Sequence, residues 1–162
     1  MIKLDDRDLK ILKTLQVEGR ITKAALAERI ALSPTPCWER LKRLEAEGII
    51  EGYGARISLG SFGPQSVFFM QAELESHKAE DFRKFEDAVQ HIDEIVECWA
   101  VGGGIDYFLK ITSSDVDSYQ RLVDKMLNSD IGLRRYYTYV VTKPVKIAPF
   151  PPIPEKMSET NP

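Results

Sequence analysis

Periodicity in this 162-residue chain predicts an α+β protein in two parts, a trihelical unit with a short β wing followed by a ferredoxin-like βαββαβ unit. Three observations carry that reading. Apolar residues recur at helical spacing three times before Gly48, and each run is led by a capping type: Asp5, Thr22 or Ser33. Gly60, Gly63 and Pro64 then punctuate the chain. Beyond them, β-branched and aromatic runs alternate with two amphipathic helical stretches in the order strand, helix, strand, strand, helix, strand.

Asp5 heads the first helix, with Asp8 as its reciprocal capping partner and Leu4 set to staple against Leu9. Leu9, Ile11, Leu12 and Leu15 form an apolar stripe that stops before Gly19. Thr22 opens the second helix, with Ile21 and Leu26 in the staple positions and Ile30 one turn further. Ser33 opens the third, and its hydroxyl is expected to cap the first turn. Pro34 and Pro36 take the first and third helical positions, where an N–H has no intrahelical partner, so neither proline costs a hydrogen bond. At about 100° per residue, Leu41 and Leu44 share the face of Cys37, while Thr35, Glu39, Lys42 and Ala46 lie opposite. One face is core and the other is free. Gly48 ends the helix where a left-handed residue is expected.

Three short helices with a tight turn between the second and third make a helix-turn-helix, the third helix being the reader of double-stranded DNA. The run from Ile49 to Ile57, broken by Gly52 and Gly54, reads as a glycine-bordered hairpin, the wing. A bundle used only for packing would need neither that hairpin nor a proline-led third helix. Ser33, Thr35, Pro36 and Glu39 offer hydroxyls, a surface for a methyl group and a carboxylate that can accept from cytosine, which makes them candidates for base edges. Arg40, Lys42 and Arg43, with Lys23 at the second helix, are candidates for phosphates, and Thr22 beside Lys23 is a further DNA-binding candidate. The competing reading of these charges is solvated surface or an ion pair such as Glu39 with Arg43. Trp38, at the border of the two faces, is read as packing.

Composition bounds the rest. With 43% hydrophobic and 29% charged residues, the chain can build a core and stay in water. No run approaches the roughly 20 apolar residues of a membrane span and the N-terminus lacks a signal-peptide core, so the cytoplasm is expected. Residues 1–60 carry 11 Lys/Arg against 9 Asp/Glu, a net of +2, and the remainder carries 11 against 16, a net of −5. A weakly basic part joined to an acidic one suits a DNA-binding module on a different kind of domain. Cys37 and Cys98 sit in apolar segments with no paired motif, so buried thiols are expected. His77 and His91 are the only imidazoles, and no ligand cluster has metal spacing, so neither metal nor cofactor is expected. No nucleophile–base pair, carboxylate dyad or phosphate loop appears, and no catalytic residue is assigned.

In the second part, Val67 to Leu74 is the first strand. A helix follows with Phe82, Phe85, Val89 and Ile92 on one face, then a strand from Ile95 to Val101, a turn at Gly102-Gly103-Gly104 and a strand from Tyr107 to Thr112. A second helix carries Val116, Tyr119, Val123 and Met126 at the same spacing, and Leu133 to Thr142 closes the unit. Right-handed crossovers place both helices on one sheet face. Val67, Phe68, Phe69 and Met70 make both faces of the first strand apolar, so a second sheet, from an identical subunit, is the expected cover. The expected divisions are 1–54 for the DNA-binding unit, 55–65 for a hinge strand or linker, 66–146 for the ferredoxin-like unit and 147–162 for a flexible tail holding Pro149, Pro151, Pro152 and Pro154.

Ser33-Pro34-Thr35-Pro36-Cys37 leading the third helix, ahead of a βαββαβ unit, resembles the Lrp/AsnC (leucine-responsive, feast/famine) transcription regulators. Matching pieces run from Leu4-Asp5 through Gly19-Arg20-Ile21, Arg43-Leu44-Glu45, Gly48-Ile49-Ile50, Val96-Glu97-Cys98 and Asp106-Tyr107 to Thr138-Tyr139-Val140-Val141. The resemblance implies a cytoplasmic regulator whose dimers assemble into octamers or similar rings, and whose second domain binds an amino acid where dimers meet. It assigns Gly102, Gly103, Gly104, Asp106 and Tyr107, with Tyr139, Val140 and Val141, to the effector site. There the glycines allow close backbone approach to a carboxylate and Asp106 would take the ammonium. One departure stands out: Gly-Asp-x-Asp-Tyr is usual in the family, whereas Gly103-Gly104-Ile105-Asp106-Tyr107 stands here, with glycine at the first acidic position. That leaves two functional readings, an effector-responsive regulator and an effector-independent architectural DNA binder.

Overall fold

The computed structural model describes residues 3–155. They fall into two compact units, one made of the residues through Arg56 together with those from Lys146 onward, the other of Ile57–Val145.

The first unit contains α1 (Asp6–Val17), α2 (Lys23–Arg29) and α3 (Pro34–Ala46). Asp5 and Asp8 form the reciprocal capping box at the start of α1, and the Thr22 hydroxyl accepts from the Ala25 amide at 3.2 Å. Ser33 is the N-cap residue of α3, with Pro34 first in the helix, yet its hydroxyl caps nothing. Pro36, at the third helical position, has no N–H to offer, and the hydroxyl does not take up the Thr35 amide at the second position either. Ile11, Leu26, Ala27, Ile30, Cys37, Leu41 and Leu44 make the core, with Trp38, Ile49 and Ile50 packed at its margin. Gly48, at φ 68°, ends α3 in the left-handed region.

The wing departs from its expected hairpin. Residues 51–58 form no β ladder. The amides of Ile49 and Ile50 both donate to the Leu44 carbonyl at the end of α3, at 3.0 and 3.1 Å, so the first half of the hairpin has spent its donors on the helix terminus. The extended run is fastened instead by the Tyr53 hydroxyl, which donates to Glu45 Oε1 at 2.8 Å. Of the proline-rich segment, Pro151 accepts through its carbonyl from Gln16 Nε2 on α1 at 3.1 Å. Residues 156–162 lie outside the described residues.

The second unit runs β1 (Ser66–Leu74), α4 (Ala79–Val89), β2 (Ile95–Ala100), β3 (Tyr107–Ser113), α5 (Val116–Asn128), β4 (Leu133–Val140). Its sheet has the order β2-β3-β1-β4, antiparallel throughout. Phe68, Met70, Ala72 and Leu74 of β1 and Leu109 and Ile111 of β3 are buried under Phe85 and Val89 of α4 and Tyr119, Leu122, Val123 and Met126 of α5. Phe68 stacks on Tyr119 at 4.0 Å, and the Tyr119 hydroxyl is hydrogen-bonded to the Thr138 hydroxyl on β4. Two expected core positions differ. Val116, first in α5, is exposed and Leu122 is buried in its stead, while Ile92 lies past the end of α4 but still reaches the core.

Register places the odd-numbered residues of β1 on the opposite face. There Phe69 stacks on Phe108 at 5.5 Å, and Trp99, Tyr137 and Tyr139 are 45, 50 and 50% exposed. All four strands contribute an aromatic ring to this face, which nothing in the unit covers.

Candidate nucleic-acid interface

Along α3, Cys37, Leu41 and Leu44 are buried, and Ser33, Thr35, Glu39 and Lys42 are exposed with Pro36 half-buried beside them. The prediction of one core face and one free face holds. The proline-led first turn, stopped by Gly48, fixes where that face begins and ends.

Arg40 and Arg43 have other partners. Arg40 Nη1 lies 2.6 Å from Asp5 Oδ2 and 2.9 Å from Asp8 Oδ1, and Arg43 Nη2 lies 2.6 Å from Asp8 Oδ2. The Asp8 side chain is only 1% exposed and shared by both guanidinium groups. These two arginines therefore bind α3 to the head of α1, partners that their reading as phosphate contacts did not include; the Glu39–Arg43 pair does not form. Burial pushes the Asp5 carboxyl up, but the Asp8 amide and the Arg40 guanidinium outweigh it and leave the group below its ordinary range. The sequence signal was available in Arg40 and Arg43, three apart on one side of α3 and flanking Leu41 and Leu44, but nothing local pointed to Asp8.

Trp38 was read as packing, and half-buried packing is part of its role. Its ring also gathers cations. Lys23 Nζ, from the first residue of α2, lies 3.2 Å from the ring centroid, and Lys42 Nζ lies 5.1 Å from it. The turn joining α2 to α3 is drawn tight by Ala31 at φ 54°, whose carbonyl accepts from Arg7 Nη1 at 3.0 Å.

The effector candidates divide. Gly102, Gly103 and Gly104 form the exposed turn between β2 and β3, with Gly103 at φ 141°. A Cβ at any of the three would meet nothing within 4 Å, so within this chain only the backbone angle of Gly103 asks for glycine. Asp106 is not a free carboxylate. Its Oδ2 accepts from the Leu74 amide at 2.8 Å, and its Oδ1 lies 3.1 Å from His77 Nε2. The Asp106 amide donates to the Ala72 carbonyl, which stitches the residue to the end of β1 and brings its carboxylate to the next open amide.

Tyr107 faces the helices: it is buried against Phe85 at 4.6 Å, and its hydroxyl donates to Glu86 Oε1 at 2.8 Å. Burial, then Glu86, raises its phenol well above the usual range, and the same causes push the neighbouring Cys98 thiol up to about 11. Tyr107 is core in this unit, a correction to its place among effector contacts. Tyr139 and Val140 are exposed on β4 opposite Phe69 and Phe68, and the Val141 amide donates to the Val67 carbonyl. The glycine turn is at the other end of the sheet, beyond the Ala72–Tyr107 pair, and two to three strand spacings of about 4.8 Å away. One chain does not bring the two sets together.

A reading helix anchored through its buried side, with its polar face left open, defines a DNA-binding regulator of the winged helix-turn-helix class. Residues 4–51 match the family model described as winged helix-turn-helix DNA-binding, and residues 67–149 match the Lrp/AsnC ligand binding domain. The chain belongs to the Lrp/AsnC family of transcriptional regulators. It is 52% identical to the transcriptional regulatory protein DoeX of Halomonas elongata, over 90% of this chain and 92% of that one. It is 39% identical to the leucine-responsive regulatory protein of Escherichia coli, over 88% and 87%. Among solved structures, an L-Met complex of a transcriptional regulator from Neisseria meningitidis superposes with a TM-score of 0.83 at 34% identity, covering 90% of this chain and 94% of that one. An AsnC family regulator from Agrobacterium tumefaciens gives 0.86 at 28%, covering 92% and 97%.

Proposed function

We propose that this regulator reads base edges with Ser33, Thr35, Pro36 and Glu39, holds the DNA backbone with Thr22, Lys23 and Lys42, and acts in the cytoplasm as an assembly that responds to an amino acid. The observation that carries the DNA reading is the face of α3 itself. Its exposed side chains make no ion pair among the described residues, whereas the arginines beside them are committed to Asp5 and Asp8. A net of +2 on residues 1–60 supplies little attraction for a single copy, so useful affinity calls for several copies in one particle. The uncovered aromatic sheet face supports a homodimer as the first step, with octamers or similar rings built from it.

The amino-acid reading is supported by the L-Met complex of the Neisseria regulator. Gly102 to Gly104 would offer amides to a carboxylate. Because Tyr139 to Val141 sit at the far end of the same sheet, a site using both sets takes them from different subunits. A ligand placed there shifts assemblies only through its different affinity for each, and a changed assembly respaces the paired reading helices on successive half-sites. Two observations favour the architectural alternative: Asp106 is already hydrogen-bonded, and Gly104 replaces the family's other acid.

Genomic fragments recovered with the purified protein identify its operators, and calorimetry with the twenty amino acids separates the two readings. A sensor gives heat with at least one amino acid and a change in particle mass or operator affinity. No heat and no change in mass would leave the architectural reading.

A further inference from the structure

The contacts around Trp38 go beyond packing. Lys23 and Lys42 come from different helices, and both bring their ammonium groups to one indole, at 3.2 and 5.1 Å from its centroid. Lys42 is one turn along α3 from Trp38, while Lys23 is positioned by the Thr22 cap that starts α2. Lys23, Pro34, Thr35 and Trp38 line a shallow hollow at the head of the reading helix. Neither lysine has a carboxylate partner among the described residues, in contrast to Arg29, Arg40 and Arg43. Two like charges drawn to one ring repel each other, and an anion placed between them removes that repulsion.

The geometry points to Trp38 as a positioning residue for DNA binding, whose indole holds Lys23 and Lys42 together as one two-pronged phosphate site. This deepens the proposed reading of α3 and rests on it. The indole quadrupole limits where each ammonium can go, so part of the ordering of two flexible side chains is complete before DNA arrives. The ring itself need not touch a base.

The test uses the full chain and a labelled random-sequence duplex, since phosphate contacts are indifferent to sequence, with affinity measured by anisotropy across a KCl series. Lys23→Ala and Lys42→Ala should each weaken binding and flatten the salt dependence. Trp38→Leu should weaken it about two- to fivefold at low salt, and Trp38→Phe by less, because a ring remains. The deciding measurement is the double-mutant cycle. In the Lys23→Ala/Lys42→Ala background, Trp38→Leu should cost nothing further. If it costs the same factor there, or costs nothing in the wild type, Trp38 does not act through the lysines and the inference falls while the DNA face stands. If the double lysine variant binds like the wild type at every salt concentration, the reading of α3 falls as well. Should Trp38→Leu fail to fold, Trp38→Phe crossed with each lysine variant gives the same cycle.

Discussion

Arg43 Nη2 meets Asp8 Oδ2 at 2.6 Å across 35 positions of sequence, and that carboxylate, almost wholly enclosed, is also held by Arg40. The contact ties the capped head of α1 to the flank of the reading helix. An Asp8 without its arginines would be a buried charge with only its link to the Asp5 amide. The arginines without Asp8 could turn to water, since 29 and 43% of their side chains already face it.

The energetic asymmetry gives the first prediction. Arg40→Ala/Arg43→Ala should destabilise the N-terminal unit by about 3–5 kcal/mol, the cost of an uncompensated buried charge, and Asp8→Ala by less. Lys42→Ala should stay within about 0.5 kcal/mol. Denaturant unfolding in a Trp99→Phe background, followed by Trp38 fluorescence, measures all three. Equal, small effects for the arginines and Lys42 would return Arg40 and Arg43 to the free surface.

Acid should loosen the same junction. The Asp5 carboxyl lies below its ordinary value of 3.8 in the folded chain. Its contribution is therefore complete above that value and is lost as pH falls through the lower folded one. Thermal midpoints taken from pH 6 down to pH 2 should drop below about pH 4, and less steeply in Asp5→Asn. A variant with the same slope as the wild type would assign the acid sensitivity to other groups.

Ala31 holds a left-handed angle that costs an L-residue about 1–2 kcal/mol relative to glycine. Glycine loses more entropy on folding, about 0.4–1 kcal/mol, so the gain is partly offset. Ala31→Gly should raise stability by about 0.5–1 kcal/mol while leaving the Arg7 contact to its carbonyl intact. A lower melting temperature would show that the turn is not strained.

The glycine turn separates conformational need from ligand chemistry. Gly103→Val should destabilise the second unit by about 1–3 kcal/mol, because φ 141° excludes a branched side chain. Gly104→Asp, at an ordinary angle with open space around its Cβ, should leave the melting temperature unchanged. It restores the acid usual in the family, so its effect is expected in calorimetric titration with amino acids, as a changed preference or a gained response. An unchanged titration profile would separate that position from effector choice.

Most of the architecture was legible in the sequence because it is set by short-range rules. The Asp5–Asp8 box, the proline-led start of α3, its stop at Gly48 and the strand run of β1 each depend on residues within a turn or a strand of one another. The two faces of α3 followed from a single angle per residue. The failures share the opposite character. Arg40 and Arg43 look free until Asp8, on another helix, comes beside them; Asp106 looks like a ligand group until the Leu74 amide and His77 occupy it. Ser33 and the wing are exceptions that failed for local reasons: Pro36, three residues on, has no N–H to offer, and the Leu44 carbonyl takes the amides of Ile49 and Ile50. Trp38 sits between the two groups: its place at the edge of the core was readable, but the convergence of Lys23 and Lys42 on its ring was not. The sequence by itself determined the elements and their buried faces, because periodicity and capping act locally. Only the tertiary structure decided which charges remain available, because a charge is satisfied by whatever the fold brings near it, at any distance along the chain.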